Sequence, residues 1–228
     1  MLKDEIRNIV LEAGADVCGF ANIDRFANTP EGFSPVDIYG GCQSVLALGL
    51  ALPHGLSEVD PRLIYGYFNE LSCPMVDEII LRVARIIERK FGGVAVPLPS
   101  DSPVGSWDEE TKTARGMLSM KHAAVAAGIG FMGKNTLLTN PMFGNQLTVG
   151  AILLSFNLPS DELCANLCPP KCRKCIDNCP VHAINENGTV NQKLCREHTY
   201  KTTFRGIGTV ECNKCRMGCP LRFGLRSK

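Results

Sequence analysis

Cys168-Pro-Pro-Lys-Cys172-Arg-Lys-Cys175-Ile-Asp-Asn-Cys179-Pro180 is answered near the C-terminus by Cys212-Asn-Lys-Cys215-Arg-Met-Gly-Cys219-Pro220, with Cys195 between the two runs. Both runs end in x3-Cys-Pro. In bacterial two-cluster ferredoxins, three closely spaced cysteines hold one 4Fe-4S cluster and the cysteine before the proline crosses to the other. By that rule Cys168, Cys172, Cys175 and Cys219 hold one cluster, and Cys179, Cys195, Cys212 and Cys215 hold the second. The usual spacing would put the first ligand at Pro169, so Cys164 competes with Cys168 for that place. Paired C-x2-C motifs also describe zinc ribbons, but zinc does not need the repeated x3-Cys-Pro ending. A two-cluster ferredoxin-like unit over residues 159–228 is therefore expected, and with it the handling of electrons.

The rest of the composition agrees with metal ligation. The chain has 228 residues and twelve cysteines, and its start lacks the apolar core and small-residue cleavage site of a signal peptide, which predicts a cytoplasmic protein. Cysteines in a reducing compartment serve as ligands more readily than as a disulfide framework. Cys18, Cys42 and Cys73 lack metal spacing and read as small buried hydrophobes. No run of about 20 apolar residues occurs, so no membrane span is predicted. Residues 1–163 hold 12 Lys and Arg against 19 Asp and Glu, whereas residues 164–228 hold 12 against 4. Two oxidised clusters with four thiolates each would add about −4, which the basic tail offsets. A nucleic-acid contact is the other use of such a tail, although no basic-aromatic motif accompanies it.

Ahead of the cysteines, strands alternate with helices. Apolar spacing predicts a helix over residues 3–14 and another over 75–91, stopped by Gly92-Gly93. Residues 17–23, 45–52, 94–99 and 147–155 read as strands, the second buried on both faces. A further helix is expected over 113–127. The pattern predicts an α/β domain, a layered sheet with flanking helices, over residues 1–158, with 159–162 as the boundary.

Gly128-Ile129-Gly130-Phe-Met-Gly133-Lys134-Asn135 matches G-x-G-x-x-G and nearly matches a P-loop. Both nucleotide readings fail on context, because the loop follows a helix and Asn135 stands where a P-loop needs a hydroxyl. A helix C-cap at Gly128 is the plainer reading, and glycines here would also let a planar cofactor lie close.

Three stretches carry a resemblance to a known family: Ser100-Asp101-Ser-Pro-Val, the run from Lys121-His-Ala-Ala through Gly133-Lys-Asn-Thr-Leu-Leu138, and the double-cysteine region from Cys168 to Pro220. In these the chain resembles the epoxyqueuosine reductases and, more distantly, the corrinoid-dependent reductive dehalogenases. The resemblance implies a cobalamin between the two domains, fed with electrons through the clusters by an external one-electron donor such as a ferredoxin or flavodoxin. It implies Asp101 as proton donor. It implies a corrinoid pocket lined by Gly128, Ile129, Gly130, Gly133 and Lys134, with His198 and Thr199 nearby. The substrate it implies is a small molecule or a modified base. The chain ends soon after Cys219, short of the helical-repeat extension of the tRNA-acting members, which weighs against tRNA. The aspartate stretch continues differently from the family's, through Val104-Gly-Ser-Trp-Asp-Glu-Glu-Thr. Trp107, Met117, Met120 and Met132 are candidates for a cavity floor, with core packing as their ordinary use. The alternative function is an electron carrier or reductive activator that acts on a partner protein and has no organic substrate of its own.

Overall fold

The structure is a computed structural model that describes residues 2–225 except Ser102; Met1, Ser102 and residues 226–228 lie outside it. Seven α-helices occur among the described residues: α1 (Leu2–Glu12), α2 (Pro35–Ile38), α3 (Gly66–Phe91), α4 (Met120–Ala126), α5 (Lys174–Asp177), α6 (Gln192–Thr199) and α7 (Lys214–Met217). The strands are β1 (Val17–Asn22), β2 (Ser44–Ala51), β3 (Ala95–Leu98), β4 (Ser106–Asp108), β5 (Thr113–Arg115), β6 (Phe131–Met132), β7 (Leu138–Thr139), β8 (Leu147–Leu154), β9 (Tyr200–Thr202) and β10 (Gly208–Val210).

The main sheet runs in the order β1-β2-β8-β3, with every pairing antiparallel. Its central strand β2 is apolar at consecutive positions because both of its faces are covered. Leu46 and Leu48 point to one side, among Phe20, Ile152, Leu154 and the inner faces of α1 and α3. Val45 and Ala47 point to the other, among Ala123, Ala124, Ile129 and Leu153. Each fully buried Leu, Ile or Phe in these layers contributes roughly 1.5–3 kcal/mol.

Two expectations need correction. Residues 113–115 are not helical: Thr113–Arg115 pairs with Ser106–Asp108 as a hairpin, and α4 begins only at Met120. The β-branched Thr111 and Thr113 and the side-chain bonds of Asp108 to Thr111 favour the hairpin over a helix. Helix α3 in turn starts at Gly66, well before residue 75, and carries Pro74 inside it. Its added turns keep Leu63, Tyr67, Phe68, Leu71 and Met75 exposed on the outer face of α3 and the turn before it, so no inward periodicity betrays them.

The segment 159–162 is strapped to β1. Asp161 accepts from Arg7 at 2.8 and 2.9 Å and from the Phe20 backbone N–H at 2.9 Å. Lys3 Nζ lies 2.7 Å from the same carboxylate, and Asn22 N–H donates to Ser160 at 2.8 Å. The chain therefore enters the cysteine-rich region from a fixed point.

Candidate metal centres and the adjoining face

The first quartet of thiols is assembled against the glycine loop. Cys168, Cys172, Cys175 and Cys219 line one cavity together with Phe131, Gly133, Lys134 and Asn135. Cys164 is not on that wall; its thiol donates to Ala165 O at 3.4 Å. Burial pushes the Cys175 thiol up, and the nearby Cys168 and Cys219 add to the effect. Cys219 is raised by burial and then by Cys168 and Cys172, offset by the Leu221 backbone N–H.

The second quartet draws on both cysteine runs and on α6. Burial pushes Cys215 up to about 11; Arg216 opposes this, and Cys195, Cys212 and Cys179 reinforce it. Cys179 is 8% exposed and sits in a small apolar cluster with Ala183, Ile184, Val190, Cys195 and Cys215. Thr199 Oγ1 lies 3.8 Å from Cys195 Sγ, and its carbonyl accepts from Glu211 N–H at 2.7 Å. Among the described residues no three His, Cys, Asp or Glu side chains converge on a point as one metal ion requires. A four-iron cube spaces its four thiolates apart, and a set of four soft sulfur donors suits it. Thiols raised by burial and mutual repulsion are kept from ionising until a cation compensates them.

The structure also accounts for the glycine loop. Gly128 has φ +75° and follows Ala127, the C-cap of α4. Gly128 N–H donates to Val125 O at 3.0 Å and Ile129 N–H to Ala124 O at 2.9 Å, the paired bonds of a Schellman cap. A Cβ on Gly128 would meet Glu162 O at 2.2 Å, and one on Gly130 would meet Thr139 O at 2.4 Å. The close faces of both glycines are thus filled by main chain, and Ile129 is 3% exposed in the core. Beyond them the loop reaches the cysteines. Lys134 Nζ donates to Pro170 O at 2.6 Å and Cys172 O at 2.9 Å, while Asn135 Nδ2 donates to Cys215 O at 3.2 Å. A little further on, Asn145 Nδ2 donates to Arg216 O at 3.2 Å. One loop thereby clamps both cysteine runs. The near-P-loop spelling Gly-Lys-Asn serves carbonyl oxygens.

Asp101 is exposed, in the turn after β3. That turn is tied to α3, since Ser100 N–H donates to Asp77 at 2.8 Å and Ser100 Oγ to Cys73 O at 3.2 Å. The side chain of Tyr200 is more than half exposed, yet partial desolvation of its hydroxyl pushes the phenol up, opposed by Arg196, with Asp101, Cys195 and Tyr65 near enough to add to it. Asp101 is thus close enough to Tyr200, at the end of α6, for its charge to be felt there. Arg196 also stacks over Trp107 with its guanidinium carbon 5.3 Å from the ring centroid, and Ala114 N–H donates to Gln192 Oε1 at 3.3 Å. These contacts lay the β4–β5 hairpin against α6. His198 is half-buried in the last turn of the same helix.

Sequence reasoning missed Tyr200, Arg196, Asn145 and the Asp161 strap. Tyr200 could have been noticed as the aromatic next to His198 and Thr199. Asn145 and Asp161 lie in loops whose pattern carries no signal of partners far away in the chain.

The architecture is one seen in reductases of two kinds. A catabolic reductive dehalogenase aligns with TM-score 0.71 at 17% identity, over 95% of this chain and 31% of its own. An epoxyqueuosine reductase solved with an epoxyqueuosine-modified tRNA stem loop aligns with TM-score 0.71 at 21% identity, over the whole of this chain and 67% of its own. The curated epoxyqueuosine reductase of Bacillus subtilis is 30% identical over 98% of this chain and 64% of its own length. No protein-family model matches the chain. Over nearly its whole length the chain is thus similar to curated epoxyqueuosine reductases, at 24–30% identity. It spans about two thirds of the length of the curated relatives it matches.

Proposed function

We propose that this chain is a reductase with an N-terminal α/β domain, residues 1–158, and a ferredoxin-like domain, residues 159–228, that carries two 4Fe-4S clusters. The observation that carries the reading is the gathering of the cysteines of both runs, with Cys168, Cys172, Cys175 and Cys219 on one cavity wall and Cys179, Cys195 and Cys215 in one cluster. Cys168, Cys172, Cys175 and Cys219 would hold one cluster, and Cys179, Cys195, Cys212 and Cys215 the other.

The face beside the second quartet suits the corrinoid that the kinship brings. Trp107 and Tyr200 are 46% and 57% exposed there, and Arg196 lies over Trp107, giving flat and cationic surfaces to a macrocycle edged with amides. Bound at that face, cobalamin would supply a metal able to pass electrons to an organic substrate. Asp101, exposed after β3, would be the donor of the proton that a reduction also needs. His198 and Thr199, in the last turn of α6, would border a corrinoid bound at that face. The 128–134 loop supports it from behind, through the bonds of Lys134 and Asn135 to the cysteine loops. The substrate class is a modified base or a comparable small molecule, and the basic tail suits a base presented on a polyanion.

The test is iron analysis and absorption spectroscopy of anaerobically purified protein, before and after cobalamin is added. About eight irons per chain with a corrinoid spectral shift are expected. Iron without any shift would instead make the chain an electron carrier for a partner. Asp101→Asn should keep the iron and the shift while abolishing substrate turnover.

A further inference from the structure

We propose that the loop bearing Cys168 and Cys172 is the docking surface for an acidic one-electron carrier protein, with Lys171 and Lys174 as the residues that steer it. This rests on the reading of the first quartet as a cluster site. Lys171 sits between two of that quartet's cysteines and Lys174 beside a third, and both lysines are exposed. Neither makes an ion pair among the described residues. The carboxylates close by in sequence are already engaged: Arg173 reaches Asp177 at 3.4 Å and also holds Glu186. The charge of the two lysines is therefore directed outward.

The loop is also rigid enough to present a fixed surface. Pro169 and Pro170 restrict its backbone, and Lys134 holds their carbonyls together with that of Cys172. The second quartet includes Cys195 on α6, the helix that runs directly into Tyr200, and so takes the other end of the path. Electrons that must reach the Asp101 face thus have their entrance at the Lys171 loop. In the step, one electron leaves the carrier, which is oxidised, and would be taken up by the cluster that Cys168, Cys172, Cys175 and Cys219 hold, which is reduced by one. A positive rim accelerates encounter with a negative partner and slows encounter with a positive one.

The experiment uses the anaerobic holoprotein and two reductants, a reduced small acidic [2Fe-2S] ferredoxin and the reduced methyl viologen cation. Cluster reduction is followed by stopped-flow absorption, and binding of the oxidised ferredoxin by calorimetry. The ferredoxin rate should fall about tenfold or more as salt is raised, and the viologen rate should not fall. The Lys171→Glu/Lys174→Glu double variant should lose about tenfold in ferredoxin rate and affinity at low salt, with its iron content and viologen reduction retained. Lys90→Glu, on the far end of α3, should leave both reductants unaffected. Unchanged ferredoxin kinetics in a double variant with full iron would overturn this proposal alone. A chain that takes up no iron would overturn the cluster reading along with it.

Discussion

The ammonium nitrogen of Lys134 lies 2.9 Å from the carbonyl oxygen of Cys172. A residue that sequence spelling places in a nucleotide-like loop thus fastens the α/β layer to a cysteine loop.

Replacing Lys134 by methionine keeps the stem and removes the donor. Charged hydrogen bonds contribute roughly 1.5–3 kcal/mol each, and these are partly solvated, so a stability loss of about 2 kcal/mol in denaturant titration is expected. The first quartet should suffer most, with iron falling from about eight to about four per chain. Full iron and unaltered stability in Lys134→Met would show that the clamp is incidental.

The strap at Asp161 makes stability depend on pH. Desolvation pushes this carboxylate up, but the bonds from Lys3, Arg7 and Phe20 N–H outweigh it, so its pKa is lowered below 3.8. A lowered folded pKa contributes stability above the unfolded value of about 4, which is lost as pH falls through the folded value. Asp161→Asn should cost about 2 kcal/mol at pH 7, because Lys3 and Arg7 lose their counter-charge. The gap between wild type and variant should narrow in unfolding titrations below about pH 4. A gap that stays constant down to pH 2 would contradict the ion-pair account.

Alanine at Gly128 or Gly130 tests whether these glycines serve packing. Each Cβ would strike a carbonyl oxygen, at 2.2 Å and 2.4 Å, and Gly128 adds a positive φ. A loss of about 2–3 kcal/mol or more is expected at either site. Gly188, with φ +78° and open space around its Cβ position, should lose only about 1 kcal/mol as alanine. Equal melting-temperature shifts at all three sites would remove close approach as the reason.

Serine at Cys168 and at Cys164 separates the two candidates for the fourth ligand of the first quartet. The cavity wall includes Cys168 and leaves out Cys164, so Cys168→Ser should lower iron and alter the reduced-state electron paramagnetic resonance signal. Cys164→Ser should match wild type in both. The reverse result would reassign the ligand.

Much of the molecule is legible without coordinates. The apolar run of β2 announces a strand covered on both faces, the spacing of Val76, Ile79, Ile80, Val83 and Ile87 marks the buried side of α3, and x3-Cys-Pro marks the two cysteine loops. These are local signals, produced by periodicity and short spacing. The hairpin at Ser106–Asp108 and Thr113–Arg115 was misread because alanine, methionine and leucine after it imitate a helix, while the bonds that settle it come from Asp108 and from Gln192.

The sequence by itself determined the layered α/β body, its strand-rich core and the cysteine runs, because burial periodicity and ligand spacing are written within a few residues of one another. The tertiary structure alone decided that Lys134, Asn135 and Asn145 hold the cysteine loops, that Asp161 anchors them to β1, and that Arg196 lies over Trp107. Those partners lie far apart along the chain. Their hydrogen bonds and fields depend on through-space distance, which no local pattern of residues encodes.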